Sequence, residues 1–352
     1  MRKTIFLFIL CCPFMFSSLA RGQDASGPAT GQQNRNKARE FYNKGVAAVA
    51  DKNYALASDM FSTALELDPG NDLACLQRGK THLELGETDA ALKDFSDALR
   101  INPGLGEAYF FRAYTKFGDA GPDELENDFR SAEENGFKTP FLYYYRGLNL
   151  LVNEDYKSAI MQFTTALDLD PRYALAYHDR GTAKRMLGDN QGAMYDYMQA
   201  VNYKSDFPIA HNNLGSVKIK LGDFQGAIES FTVAINLDDG FYMAYNNRGS
   251  AEFQLGDYDA AMEDFTKVIS MHDNYVPALN NLGSTYAKLK NNSAALEKLN
   301  QAISLDETFG LAYLNRGFVR ELTGDLNGAC TDWNKAAELG VEEAMQYLKE
   351  CQ

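Results

Sequence analysis

A chain of 352 residues with 45% apolar side chains has enough material to bury a core, as two or three ordinary domains or one extended array, and that composition argues against intrinsic disorder. Its formal net charge of −14, from 34 Lys and Arg against 48 Asp and Glu, argues against nucleic acid, whose binders carry a basic domain or stripe. The charge reads first as a solvated face, and a preference for basic partners is the alternative.

Arg2 and Lys3 precede the apolar run IFLFILCCPFMF, and Ser18 and Ala20 put small residues three and one before a cut. This pattern predicts a secretory leader over 1–20, with cleavage after Ala20 or, as an alternative, after Gly22. Ile5 to Leu19 is shorter than the ~20 residues a spanning helix needs, and Pro13 interrupts it, which argues against a retained anchor. Bulky Leu10 before Cys11 and Cys12 argues against lipid attachment there. Residues 21–37, rich in Gly, Gln, Asn and Ser, read as a flexible linker.

Beyond that linker the chain is periodic. Gly45, Gly79, Gly147, Gly181, Gly215, Gly249, Gly283 and Gly317 share one lattice of spacing 34, with Ala113 in its single gap. Ala57, Ala91, Ala159, Ala193, Ala227, Ala261, Ala295 and Ala329 form a second lattice. Phe61, Phe95, Phe129, Phe163, Tyr197, Phe231, Phe265, Leu299 and Trp333 form a third, four residues on.

Three lattices in phase resemble the tetratricopeptide repeat, a helix-turn-helix unit of 34 residues. Units begin at 38, 72, 106, 140, 174, 208, 242, 276 and 310, so nine repeats fill 38–343 without insertion or deletion. The resemblance implies an all-α, right-handed superhelical α-solenoid in which helix A and helix B of each unit pack antiparallel. Gly215, inside a predicted helix, then serves close packing beside Ala227 and Ala234. Pro69, Pro103 and Pro171 stop helix B at position 32, where Asp239, Asp273 and Glu307 stand in later units. Residues 344–352 (AMQYLKECQ) read as a single capping helix with a polar face. Repeat three, with Ala113 for the packing glycine and Leu125 for the packing alanine, predicts helices set further apart or a decayed unit without consequence.

The resemblance also implies that helix A lines the concave surface through positions 2, 5, 6, 9, 12 and 13. Position 6 ends in four asparagines, Asn213, Asn247, Asn281 and Asn315, flanked by Asn212, Asn246 and Asn280 at position 5 and Ser216, Ser250 and Ser284 at position 9. A carboxamide both accepts and donates, so such a row suits the backbone of an extended peptide. It resembles the asparagine ladder in the superhelix of O-linked N-acetylglucosamine transferases, although no transferase domain is present. The alternative is that these amides bond to the neighbouring helix, asparagine being the family's commonest residue there. Phe110, Phe111, Tyr114 and Phe117 of repeat three, with Phe141, Tyr144, Tyr145 and Leu148 of repeat four, form an aromatic patch that either anchors an apolar side chain or fills the irregular repeat's own gaps.

No unit has lysine or arginine at position 5, so the terminal-carboxylate clamp of chaperone adaptors in this family is not expected. No nucleophile motif, phosphate loop or metal-ligand spacing occurs, and His178 and His211 on successive A helices lack a third ligand. No catalysis, metal or cofactor is therefore expected. Cys75 reads as a buried thiol. Cys330 and Cys351 fall where helix B of the last repeat faces the capping helix, and a disulfide between them is an open possibility.

Taken together, the residues predict a non-catalytic scaffold that holds a protein or peptide partner in a helix-A groove. The chain resembles exported bacterial repeat proteins of the periplasm or outer membrane that help assemble envelope complexes, with a secreted location as a variant. An assembly subunit using convex or edge surfaces, or an accessory sugar- or metabolite-binding module, are the alternatives.

Overall fold

The computed structural model describes residues 29–351, so the leader at 1–20, its alternative cut at 22 and the first part of the linker lie outside the described residues. Two compact units divide the chain after Pro103. The first holds α1 (Ala29–Ala50), α2 (Tyr54–Leu67), α3 (Asp72–Glu84) and α4 (Thr88–Ile101). The second begins with α5 (Gly106–Thr115), α6 (Pro122–Glu134), α7 (Pro140–Val152), α8 (Tyr156–Leu169), α9 (Ala174–Met186) and α10 (Asn190–Tyr203). It continues through α11 (Pro208–Lys220), α12 (Phe224–Leu237), α13 (Tyr242–Leu255), α14 (Tyr258–Met271), α15 (Val276–Lys288) and α16 (Asn292–Leu305). It ends with α17 (Gly310–Leu322), α18 (Leu326–Glu338), α19 (Ala344–Tyr347) and a 3-10 turn over Leu348–Cys351. No strand interrupts the helices among the described residues, and the fold is an α-solenoid of helix pairs.

Within each unit every helix packs on the next, and in the second unit α11, α13, α15 and α17 also touch one another in sequence. That pattern sets the A helices side by side. The third lattice is the core: Phe61 and Phe95 in the first unit, and Phe129, Phe163, Tyr197, Phe231, Phe265, Leu299 and Trp333 in the second, are all fully buried. In each repeat with glycine at position 8 the large side chain lies against it, as Phe231 does against Gly215. Burial of such a ring stabilises by roughly 25 cal/mol per Å² of apolar surface, which outweighs the helix-propensity cost of one glycine.

The turn between helices A and B has a local cause. In repeat six Gly222 sits in the left-handed region at φ 82°, and Asp223 then caps α12 by accepting from the Gly226 N–H at 2.9 Å. Helix B stops at the same place whether or not proline follows. Asp170, Asp238 and Asp306 at position 31 each accept from the N–H two residues on, at 2.9–3.1 Å, and this Asx turn competes with the helical ladder.

Two expectations need correction. The linker expected to run to residue 37 is helical from Ala29 onward, because α1 is anchored by buried Ala38 and Ala48, and extending an existing helix adds one bond for each residue fixed. The capping segment is not a single helix: α19 spans four residues before tightening to a 3-10 turn, as short terminal turns do. Repeat three differs chiefly in helix A, since α5 has 10 residues where α7, α9 and α11 have 13.

Cys330 and Cys351 are joined in a disulfide with Cα atoms 5.7 Å apart, tying the 3-10 turn to α18. Closing a loop of that length is worth about 3 kcal/mol in the chain-entropy treatment. Cys75 is buried and free, with its thiol pushed up to about 11 by burial. Among the described residues no helix is long and apolar enough to cross a membrane.

Candidate functional site

The A helices α11, α13, α15 and α17 align the seven asparagines in two hydrogen-bonded groups, Asn212, Asn213 and Asn247 in one and Asn246, Asn280, Asn281 and Asn315 in the other. Asn247 Nδ2 donates to Asn212 Oδ1 at 3.0 Å, Asn281 Nδ2 to Asn246 Oδ1 at 3.3 Å, and Asn315 Nδ2 to Asn280 Oδ1 at 2.8 Å. Each position-6 amide thus reaches back to the position-5 amide of the preceding repeat. Sideways bonds from Asn212 to Asn213 and from Asn280 to Asn281, at 3.4 and 3.2 Å, link the pairs.

This corrects the reading of position 5. Asn212, Asn246 and Asn280 are buried and spend their oxygens on the next helix, so they align the row rather than face a ligand. Asn213, Asn247, Asn281 and Asn315 are partly exposed. The Oδ1 atoms of Asn247 and Asn315 carry no hydrogen bond within the described residues, and each position-6 Nδ2 retains a second N–H.

At its N-terminal end the row passes into charged groups. Asn213 Nδ2 donates to His178 Nε2 at 2.9 Å, His178 Nδ1 donates to Asp179 Oδ1 at 2.8 Å, and the Tyr144 hydroxyl donates to Asp179 Oδ2 at 2.8 Å. Burial and the Asp179 carboxylate push the Tyr144 hydroxyl well above the usual phenol range, so it remains a donor. His178 is therefore occupied, and His211 Nε2 bonds to the Ser205 carbonyl at 3.1 Å.

The aromatic patch turns inward. Phe110 is buried against Phe129 and Phe137, and Tyr144 against Phe163 and Tyr173, so neither is a groove anchor. Tyr114 and Phe117 are partly exposed, edge-on to Tyr145 at 4.9 and 5.7 Å.

The row leads at its C-terminal end into a groove of about 620 Å³ between α13, α15, α17 and the C-terminal turns. Asn280, Asn281, Asn315 and Ser284 line one part and Phe253, Phe318, Leu322 and Tyr347 another. The groove thus sets hydrogen-bonding amides beside apolar walls.

A second network holds the A helices in place, and the sequence reading missed it. Arg78, Arg112, Arg180, Arg248 and Arg316 at position 7 each make a bidentate pair with Asp94, Asp128, Asp196, Asp264 and Asp332, sixteen residues on, at 2.6–2.9 Å. Several also reach the preceding B helix, as Arg248 does to Thr232 Oγ1 at 3.1 Å. The signal was present as a fourth lattice of spacing 34, broken where Lys44, Leu214 and Leu282 replace arginine and where Gln162 replaces the aspartate opposite Arg146, which pairs with Glu126 and Glu133.

Position 11 adds a second cation to some of these sites. Lys184 Nζ lies 2.8 Å from Asp196 and Arg320 Nη1 lies 2.9 Å from Asp332, while in repeat six, where Leu214 and Ser230 replace the pair, Lys218 bonds to Ser230. Repeat seven has Glu252 there instead, and its Oε2 is buried with no hydrogen-bond partner. Burial, then the nearby Asp264 carboxylate, push the Glu252 carboxyl up to about 7, against the opposing pull of Arg248. The folded state thus holds a proton that the unfolded state releases near its ordinary value of 4.5, and stability falls as pH rises from there to about 7. Glu252→Lys should remove that slope and stabilise the protein at pH 8 by about 2 kcal/mol. Urea unfolding of both proteins at pH 5 and pH 8 checks the prediction, and equal slopes would refute it.

Stacked helix pairs with one open row of amides define a helical repeat protein whose chemistry is surface recognition. The chain belongs to the tetratricopeptide repeat family: models of that repeat match residues 42–106, 144–207, 209–240, 242–275 and 276–309. It is similar to a tetratricopeptide repeat and J domain-containing co-chaperone of Cryptococcus neoformans, 30% identical over 120 residues, which are 34% of this chain and 22% of that one. It is also similar to small glutamine-rich tetratricopeptide repeat-containing protein 2 of Saccharomyces cerevisiae, 29% identical over 97 residues, 28% of each chain. The matches thus span under a third of these relatives. Among solved structures, the APC/C hetero-tetramer Cut9-Hcn1 matches with a TM-score of 0.56 at 16% identity, covering 89% of this chain and 76% of that one, a likeness of fold alone.

Proposed function

We propose that this protein is a non-catalytic scaffold that holds an extended segment of a protein partner along its helix-A face. The observation that carries this reading is the aligned row Asn213, Asn247, Asn281 and Asn315, partly exposed and held in register by buried amides beneath it. A peptide backbone offers an N–H and a C=O at regular intervals, and an amide row meets both without reading side chains. Adaptor function is supported by the co-chaperone name of one relative. Export to the periplasm or outer membrane, in envelope assembly, is supported by the leader-like residues 1–20 and by the Cys330–Cys351 bridge.

In crosslinking pull-downs from native cells, Asn247→Ala with Asn281→Ala should lose the partner while helical circular dichroism is unchanged. That double change also strips donors from buried Asn212 and Asn246, at about 1–3 kcal/mol each. Ala287→Trp, which fills the groove without touching an amide, should give the same loss. A second reading, assembly through the helix-B face, is favoured by Met161, Tyr195 and Met198, exposed by 64%, 57% and 48% on α8 and α10. Capture that survives both groove variants and is lost in Met161→Glu with Tyr195→Glu would select it.

A further inference from the structure

The groove at the C-terminal end of the row is not a uniform channel. Position 12 of the A helices reads Ile219, Phe253, Ala287 and Glu321 in repeats six to nine. Ala287 is the one small side chain among them. It leaves a hollow floored by α15, walled by Phe253 of α13 on one side and by Phe318 of α17 and Tyr347 of α19 on the other. Phe318 and Tyr347 stand edge to face at 4.7 Å, and both pack on Trp333, with centroids 5.8 and 5.3 Å away. The wall is therefore backed by the core of the last repeat and pinned by the disulfide below it.

The electrostatics of this hollow favour a cation. Glu321 and Glu343 both line it, and neither belongs to an ion pair among the described residues. Glu321 is partly buried, so its charge acts in a medium less screened than bulk water. Glu343 and Lys288 are both exposed, so the lining sets two carboxylates against one ammonium, with Glu321 the least screened of the three. Helices α13, α15 and α17 all end here, at Leu255, Lys288 and Leu322, and each C-terminus contributes a partial negative charge of roughly half a unit. A net charge of −14 adds to the same field at longer range.

We propose that this hollow is a socket for one basic side chain, best an arginine, of the segment held along the helix-A face. The guanidinium plane stacks on Phe253 and Phe318, its aliphatic stem covers Ala287, and its N–H groups reach the Glu321 and Glu343 carboxylates. The Asn281 and Asn315 amides beside the socket hold the backbone of the same segment. The inference rests on the groove reading above and adds a side-chain preference that the amide row alone cannot supply.

The test uses the full chain and three short synthetic peptides, capped at both ends, of sequence Gly-Ser-Ala-Ser-Xaa-Ser-Ala-Ser-Gly with arginine, leucine or glutamate as Xaa. Binding is read by NMR titration to millimolar peptide and by emission of Trp333, the single tryptophan, which backs the socket wall. The arginine peptide should bind about tenfold more tightly than the leucine peptide at low salt, and the glutamate peptide most weakly. Glu321→Gln with Glu343→Gln should erase the arginine advantage and leave leucine binding unchanged. Equal binding of the arginine and leucine peptides, or an arginine advantage that survives the double change, would overturn the socket. If all three peptides bind equally and all are lost in Ala287→Trp, the groove reading stands and the socket alone fails. If none binds, the groove reading fails and takes the socket with it.

Discussion

Asp332→Ala should destabilise the C-terminal repeats by about 3–5 kcal/mol, because it leaves two guanidinium groups facing a partly buried void. Asp332 is 2% exposed and accepts from Arg316 Nε and Nη2 at 2.8 and 2.7 Å and from Arg320 Nη1 at 2.9 Å. Arg316 also spans to Asn300 of the preceding B helix at 2.7 Å, so the change loosens two repeats at once. The molecule contains its own control. Repeat six manages the same three positions with Leu214, Lys218 and Ser230, Lys218 bonding to Ser230 Oγ and to the Gly226 carbonyl. Arg316→Leu with Asp332→Ser transplants that solution, leaving Arg320 bonded to the Gly328 carbonyl at 3.2 Å. It should recover more than half of the loss, since replacing a buried ion pair costs far less than breaking one. Urea unfolding, with hydrogen exchange over 310–343 to localise the effect, measures both. A loss below about 1 kcal/mol for Asp332→Ala would mean that the pair carries no net stability, as exposed pairs do.

The fold was legible because its determinants repeat. Position 24 must be large and position 8 small in all nine repeats, and position 15 turns left-handed in eight of them, repeat three placing its left-handed residue at Gly118 instead. Even so, Lys52, Glu154 and Lys290 occupy the turn position at φ 57–63°, where a glycine search alone would have failed. The site was harder to read because periodicity places a residue on a helix face but does not say which way an amide turns. Positions 5 and 6 are neighbours in sequence, and both looked groove-facing. A rotation of 100° per residue buries Asn246 and leaves Asn247 at the surface. Phe110 and Tyr144 stand at position 5 of their repeats, as Asn246 does, and the same rotation buries them. The Arg–Asp ties escaped notice because charged residues on a helix are usually read as solvent contacts, whereas here each carboxylate lies between helices A and B.

Gly215→Val should be strongly destabilising, because the packing position has no room for a branched side chain. A Cβ built on Gly215 lies 2.7 Å from Phe231 Cε1, 2.8 Å from Cζ and 2.9 Å from Cδ1, and Phe231 is 0% exposed. Helix propensity favours the smaller change, Gly215→Ala, by about 1 kcal/mol. Overpacking opposes it by about 1–3 kcal/mol, so alanine should destabilise modestly, and valine, with two more methyl groups and a poorer helix former, by about 4 kcal/mol. Gly181 separates the two effects. Its nearest neighbours are Tyr197 ring atoms at 3.1 Å, so a few tenths of an ångström of relief suffices, and Gly181→Ala should be near neutral. The order of urea midpoints is therefore Gly181→Ala above Gly215→Ala above Gly215→Val. If Gly215→Ala instead raised the midpoint as propensity alone demands, the ring would have yielded, and close approach of helix A to helix B would no longer explain why a glycine stands inside a helix.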